Sequence, residues 1–419
     1  MPSHQVALLL FDLALILVLA QGLGHLATKI QQPPVVGEIL AGVLLGPTLL
    51  PGAITDALFP DDIRPLLTGM ADVGVALFMF GVGLEIERHT LRGRGRMTAA
   101  SAVGSTAVPF ILGIGLAYYL LRSYETEHQA AFVVFIGLSV SVTAFPVLAR
   151  ILTDQGLAKT SLGGIALATA AVVDVVAWTA LAGVQATVGG ADKHWRVALI
   201  VPFTLVLLLV VRPLLRRWTV PATGAAPATS RVLVTALIGA LLCGAATEAM
   251  GMHFIFGSFL FGLVMPRDGA ERLRADVLDH TGRVTSVLLP VYFVVAGLKV
   301  DLGMLGGQEM LQLALILLVA IVGKFAGTYL GARSQRLPGR PAAALAALMN
   351  TRGLTELVIL GVGLRLGLLD GSLYSLMVVM AVLTTAMTGP LLARIYAKPV
   401  VVPQPEDQRE PNPSAASSA

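Results

Sequence analysis

Long apolar runs separated by short polar connectors fill most of the chain, and their lengths predict helices that cross a bilayer. Thirteen runs lie near 5–27, 34–50, 68–87, 97–121, 128–152, 161–188, 196–217, 231–250, 254–266, 282–298, 310–333, 342–366 and 373–397. Roughly 20 residues at 1.5 Å rise cross the hydrocarbon core, so the second and ninth runs are short for a full crossing. The first run has no basic stretch ahead of it and no small-residue cleavage site behind it, which makes it a retained span.

Composition turns this pattern into a class. Hydrophobic residues make up 56% of the 419 and charged residues 13%, with a mean hydropathy of +0.81. A soluble domain carries about 25% charged residues, so a soluble globular chain is excluded. The 44 glycines suit helices that pack closely or break near a substrate. Cys243 is the single cysteine and lies in an apolar run, so neither a disulfide framework nor a cysteine metal site is available, and a packing role is expected.

The positive charges orient the spans. Of the 29 Lys and Arg residues, 21 fall in the loops of one side and six in those of the other, while Lys324 and Arg352 lie within spans. Because basic loops stay on the cytoplasmic side, the N-terminus is expected outside and the C-terminus inside. The pI near 9.3 then reports membrane topology, and no nucleic-acid partner is expected.

An odd number of spans lets runs 1 to 6 and 8 to 13 form two six-helix repeats of opposite orientation, the plan of many secondary transporters. Such repeats carry interrupted helices at matching positions. The fifth run holds Val142 and Thr143 ahead of Pro146, which has no backbone donor and disfavours helix in the residue before it. The twelfth holds Asn350-Thr351-Arg352-Gly353, a polar stretch with a glycine at membrane depth. Irregular backbone at that depth has to line a cavity or be buried in protein, so both breaks point to one central site. The expected fold is therefore an all-α polytopic membrane protein of about thirteen transmembrane helices, with two inverted six-helix repeats and crossed broken helices.

Asp174 stands alone in the uncharged stretch from Ser161 to Thr187. A carboxylate at mid-span costs on the order of 2.5 to 3.5 kcal/mol to insert, and the default reading is an ion or proton site. Carbonyls freed at Val142 or Thr143 and the Thr143 hydroxyl would replace part of a cation's water shell, with Asp174 supplying the charge; hard oxygen ligands suit an alkali cation or a proton. Lys324 lies too deep to snorkel and either pairs structurally or competes with the transported cation. Arg352 and Glu356, four residues apart, pair on one helical face and either close the break or shape the ion path. Glu38 reads as interfacial.

Seven segments together carry a resemblance: PPVVGEILAGVLLGP from Pro33, SVTAFPVLARIL from Ser141, VDVVAW around Asp174, FIFGSFLFGLVMPR from Phe254, LLPVYFVVAGLKVDL from Leu288, VGKFAG around Lys324 and MNTRGLTELVIL from Met349. In this order they resemble the second branch of the monovalent cation:proton antiporter family, nearest in flavour to the plant and fungal cation/proton exchangers and their bacterial relatives. The resemblance implies that Asp174 is the essential carboxylate that alternately binds proton and cation. It also implies that Lys324 is the family's intramembrane lysine, that Thr143 and Pro146 belong to the unwound crossing helix, and that the protein is a homodimer whose mobile six-helix core moves past a static dimerisation domain. Relatives commonly place Asn, Asp or Gln immediately before the aspartate, where this chain has Val173. One titratable site gives one cation for one proton as the simplest stoichiometry, unless Lys324 also exchanges a proton.

The function expected is exchange of a monovalent cation, Na+ or K+, for protons across the plasma (inner) membrane. A channel or an organic-solute carrier on the same scaffold is the alternative. No phosphate loop ending in Lys-Ser or Lys-Thr is present, so the proton gradient drives the exchange and no cofactor is expected. Intramembrane proteolysis would need paired aspartates, a serine with a histidine base or a metal cluster, and Asp72, His25 and His253 supply none of these around Asp174. Residues 1–397 form the transmembrane domain; the Pro- and Ser-rich 398–419 is expected to be a disordered cytoplasmic tail.

Overall fold

The computed structural model describes residues 3–30, 32–50, 52–85, 95–158, 160–188, 199–219, 229–266, 271–303 and 306–396, and every regular element among them is helical. In chain order they are α1 (Ser3–Lys29), α2 (Pro34–Leu45), α3 (Gly52–Leu58), α4 (Arg64–Glu85), α5 (Gly95–Leu120), α6 (Gln129–Ser141), α7 (Phe145–Asp154) and α8 (Ser161–Val188). Then follow α9 (Ile200–Val206), a π turn (Leu207–Val211), α10 (Arg212–Thr219), α11 (Thr229–Ala249), α12 (Phe254–Val264) and α13 (Glu271–Gly297). The series closes with α14 (Gly307–Ser334), α15 (Gly339–Met349), α16 (Leu354–Arg365) and α17 (Gly371–Ile395). The expected tail 398–419 and the loop residues Arg88, Arg92 and Arg94 lie outside the described residues.

Among the described residues, eight helices or near-continuous helix pairs are long and apolar enough to cross a membrane, and the pair α15/α16, bent by 42° at its break, makes a ninth. The other four expected crossings take different forms. The runs at 34–50 and 254–266 give helices of 12 and 11 residues. The run at 196–217 is divided among α9, the π turn and α10, and that at 282–298 is the apolar half of α13, whose first half is charged. Helix ends follow local chemistry. Pro34 opens α2 from an extended Pro33, and the pair Gly46-Pro47 ends it. The Asp370 carboxylate accepts from Leu373 N at 2.7 Å and starts α17.

The helices pack in two groups. One holds α1, α2, α4, α11, α12 and α13; the other holds α5 to α8 and α14 to α17. Contacts between apolar helices in lipid rely on close van der Waals approach, which small residues permit. In the second group α5 lies against α14 backbone to backbone. A Cβ on Gly104 would meet Gly327 O at 2.2 Å, and one on Gly327 would meet Gly104 O at 2.1 Å.

Candidate ion site at two crossed half-helix breaks

The first break, Val142 to Ala144, is extended backbone between α6 and α7. The second, Asn350 to Gly353, separates α15 from α16. They lie against each other: Ala144 N donates to Thr351 O at 3.0 Å, and the Thr143 hydroxyl donates to Met349 O at 2.7 Å. Gly353 lets α7 come close, since a Cβ there would sit 2.5 Å from Val147 Cγ2. Each interruption thus supplies part of what the other lost as helix, which is how broken backbone persists in a fully buried setting.

Every helix end leaves orphan groups, N–H at the start and C=O at the finish. At the finish of α6 the carbonyls of Ser139 and Val140 accept from the Arg352 guanidinium at 2.7 and 2.6 Å, and Ser141 O accepts from Lys324 Nζ. Lys324 Nζ also donates to Ser105 O at 3.0 Å. That carbonyl is free because the residue four positions on, Pro109 inside α5, has no N–H to offer it. Gly323, beside the lysine, gives Pro109 room: a Cβ there would lie 2.8 Å from Pro109 Cα. Arg352 completes its fork with an ion pair to Glu356, both side chains being fully buried. No ion pair joins Lys324 to Asp174; the lysine is held by carbonyls.

The opposite poles face Asp174. The Phe145 N–H at the start of α7 and the Thr355 hydroxyl in the first turn of α16 are the donors directed at its carboxyl. Two helix starts therefore place partial positive charge around a carboxylate. Asp174 is 3% exposed on α8, and its Oδ1 has no hydrogen-bond partner. Ser139 Oγ, Thr169 Oγ1, Asn350 Oδ1 and Glu356 Oε1 are likewise buried and unpartnered. Buried oxygens are nearly always satisfied by protein, water or an ion. A buried carboxylate oxygen without a partner, in a bundle that leaves further oxygens unpartnered, is the chemistry that takes up a hard cation or a proton.

The structure brings Asp174, Thr143, Val142, Asn350, Thr351, Gly353, Lys324, Arg352 and Glu356 to one buried crossing, with Pro146 at the second position of α7. The Thr143 hydroxyl spends its proton on Met349 O and keeps its lone pairs. Three residues were not anticipated from the sequence. Thr385 on α17 accepts from Arg352 N and donates to Arg352 O, both at 2.9 Å, and Thr384 O accepts from Asn350 Nδ2 at 3.4 Å. Trp178, one helical turn beyond Asp174, buries an unpartnered Nε1 and stacks edge-on against Phe256 of α12. Threonines at 384, 385 and 388 within an apolar run were the available signal for the first two. Cys243 is buried and free, as a packing residue would be.

Half-helices crossed at a buried ionisable residue within a polytopic bundle are the architecture of a secondary transporter. The chain belongs to the sodium/hydrogen exchanger family, whose transmembrane domain matches residues 13–398. It is 37% identical over 413 residues to the Na(+)/H(+) antiporter NhaS4 of Synechocystis, covering 95% of this chain and all of that protein. It is also 37% identical to cation/H(+) antiporter 20 of Arabidopsis thaliana and 33% identical to K(+)/H(+) antiporter 1 of Saccharomyces cerevisiae. These matches cover 93% and 94% of this chain but only 48% and 47% of the plant and yeast proteins, so the chain spans about half their length. Among solved structures, the sodium proton antiporter MjNhaP1 of Methanocaldococcus jannaschii superposes with a TM-score of 0.68 at 14% identity, over 93% of this chain and 97% of that one, a likeness of fold.

Proposed function

We propose that the protein exchanges a monovalent cation for a proton at Asp174. The observation that carries this reading is the buried Asp174 carboxyl, with one oxygen unpartnered, at the meeting of two half-helix starts. Glu356 is tied to Arg352, which leaves Asp174 as the carboxylate available at the crossing. A proton and a cation each neutralise this one carboxylate and cannot both occupy it, so each ligand expels the other. Exposing the site to the two sides in turn then couples opposite flows. With one such carboxylate the exchange is one for one and moves no net charge.

Further parts of the reading rest on the same geometry. Support for inverted repeats comes from matched contacts: Gly42 of α2 meets Val294 O of α13 at 2.2 Å for an added Cβ, and Gly262 of α12 meets Phe80 O of α4 at 2.1 Å. The two breaks also occupy the fifth place of each half. The second helix group carries the site and is the mobile core; the first is the scaffold and the surface of a homodimer. The basic loops favour a plasma membrane protein with its N-terminus outside.

The test is proton movement in everted vesicles or proteoliposomes holding an imposed pH gradient, with Na+ or K+ added to wild type and to Asp174→Asn. Collapse of the gradient in wild type alone is expected; equal collapse in both would overturn the role of Asp174. Below the titration midpoint of the site, the cation concentration for half-maximal exchange should rise about tenfold for each unit by which the pH falls, with the maximal rate unchanged, as competition at one carboxylate requires.

A further inference from the structure

A cavity of about 190 Å³ lies between the two helix groups and ends at the crossing. Pro146 and Val147 of α7 and Leu354 of α16 line it on the site's side, next to the Phe145 N–H and Thr355 hydroxyl that face Asp174. Pro34 and Val35 of α2 and Leu289, Pro290 and Phe293 of α13 line the other side. Apart from Ser286 the walls are apolar, and the cavity holds one carboxylate, Glu38, and one guanidinium, Arg150. These two sit on different groups, α2 and α7, and line the same cavity. The stem of Glu38 lies over α1, where Gly24 leaves room: a Cβ at that glycine would be 3.7 Å from Glu38 Cγ.

We infer that Glu38 is the cation-collecting carboxylate at the mouth of the path to Asp174, and that Arg150 sets how strongly it attracts. The inference rests on the exchange reading and adds a second residue that governs cation access. Apolar walls around a single carboxylate focus its field along the cavity and raise the local cation concentration. Arg150 opposes this, since a fixed cation beside the carboxylate takes up part of its field. With the N-terminus outside, the loop before α2 is cytoplasmic, so the effect belongs to cations approaching from that side. Glu38 touches the path and not the reaction, so it changes the cation concentration needed and leaves the turnover of a filled site alone.

The experiment measures cation-dependent exchange in everted vesicles, where the cytoplasmic face is outward, over a range of Na+ and K+ for wild type, Glu38→Gln, Glu38→Asp and Arg150→Gln, with Asp174→Asn as the blank. For Glu38→Gln the half-saturating cation concentration is expected to rise about tenfold at low ionic strength, with maximal rate retained. The gap should narrow at 1 M choline chloride, where the Debye length falls to about 3 Å. Glu38→Asp should recover most of the shift, and Arg150→Gln should lower the half-saturating concentration severalfold. A structural role would lower the maximal rate or yield and show no dependence on ionic strength. An unchanged half-saturating concentration in Glu38→Gln, or a raised one in Arg150→Gln, overturns the inference; should Glu38→Gln not reach the membrane, the Arg150→Gln result decides alone. Absence of exchange in wild type would instead count against the antiport reading itself.

Discussion

The two breaks cross at one point but are closed by opposite means. Nothing in Val142-Thr143-Ala144 is charged, and the end of α6 is capped from outside by two cations, Lys324 and Arg352. The second break carries its own ion pair, Arg352 with Glu356, and the end of α15 is met by neutral donors, the Thr143 hydroxyl and the Ala144 N–H, with Thr385 of α17 bridging the backbone of Arg352. The difference separates two tasks. The negative pole of α6 is occupied by fixed charge, whereas Asp174, Asn350, Thr169 and Ser139 each keep an unpartnered oxygen.

Substitutions can break this asymmetry in a graded order. Arg352→Ala should have the largest effect, because it strands Glu356 and uncaps two carbonyls; truncating one partner of a buried pair costs about 3 to 5 kcal/mol. Thermal unfolding in detergent and folded yield would show it, and Arg352→Met with Glu356→Leu should recover much of the loss if the pair is structural. Lys324→Met leaves the carbonyls of Ser105 and Ser141 unsatisfied, at about 1 to 3 kcal/mol each. Lys324→Arg, which keeps the charge and the donors, should lose less in the same unfolding assay. Thr385→Val removes a hydroxyl that both accepts from and donates to Arg352 backbone, for about 1 to 3 kcal/mol, and should lower exchange and stability together. Thr143→Val is expected to be mildest, about 1 kcal/mol, because the Ala144 to Thr351 bond remains. A loss at Thr143 as large as that at Arg352, or a cation selectivity change without loss of stability, would show that its oxygen serves the ligand and not only the crossing.

Much of the site was legible because the membrane leaves so few explanations for polar residues at depth. Asp174, Lys324 and the Arg352–Glu356 spacing announce themselves in apolar runs, and Pro146 and Gly353 mark where helix stops. What each charge binds was not legible. Lys324 reads either as a structural partner of a carboxylate or a helix end or as a competitor of the transported cation; it meets a helix end at Ser141 O, and what the sequence does not show is its second carbonyl, Ser105 O, released by Pro109 at a position remote in sequence. Glu38 reads as interfacial because it sits near the start of a short run, and only the cavity that α2, α7 and α13 enclose together shows that it lines one. The fold was readable as helices and less so as crossings: α2 and α12 are too short, and α13 mixes a charged half with an apolar one, so run length and span number part company there.

The bond from Ala144 N to Thr351 O joins the two interruptions through main chain alone. Any amino acid other than proline at 144 can make it, and any at all can accept it at 351. This one link of the frame is therefore independent of the side chains around it, unlike the links made by Arg352, Lys324 and Thr385. A substitution at 173, 350 or 143 leaves that peptide-to-peptide tether in place, so the two interruptions keep one shared anchor when a neighbouring side chain changes.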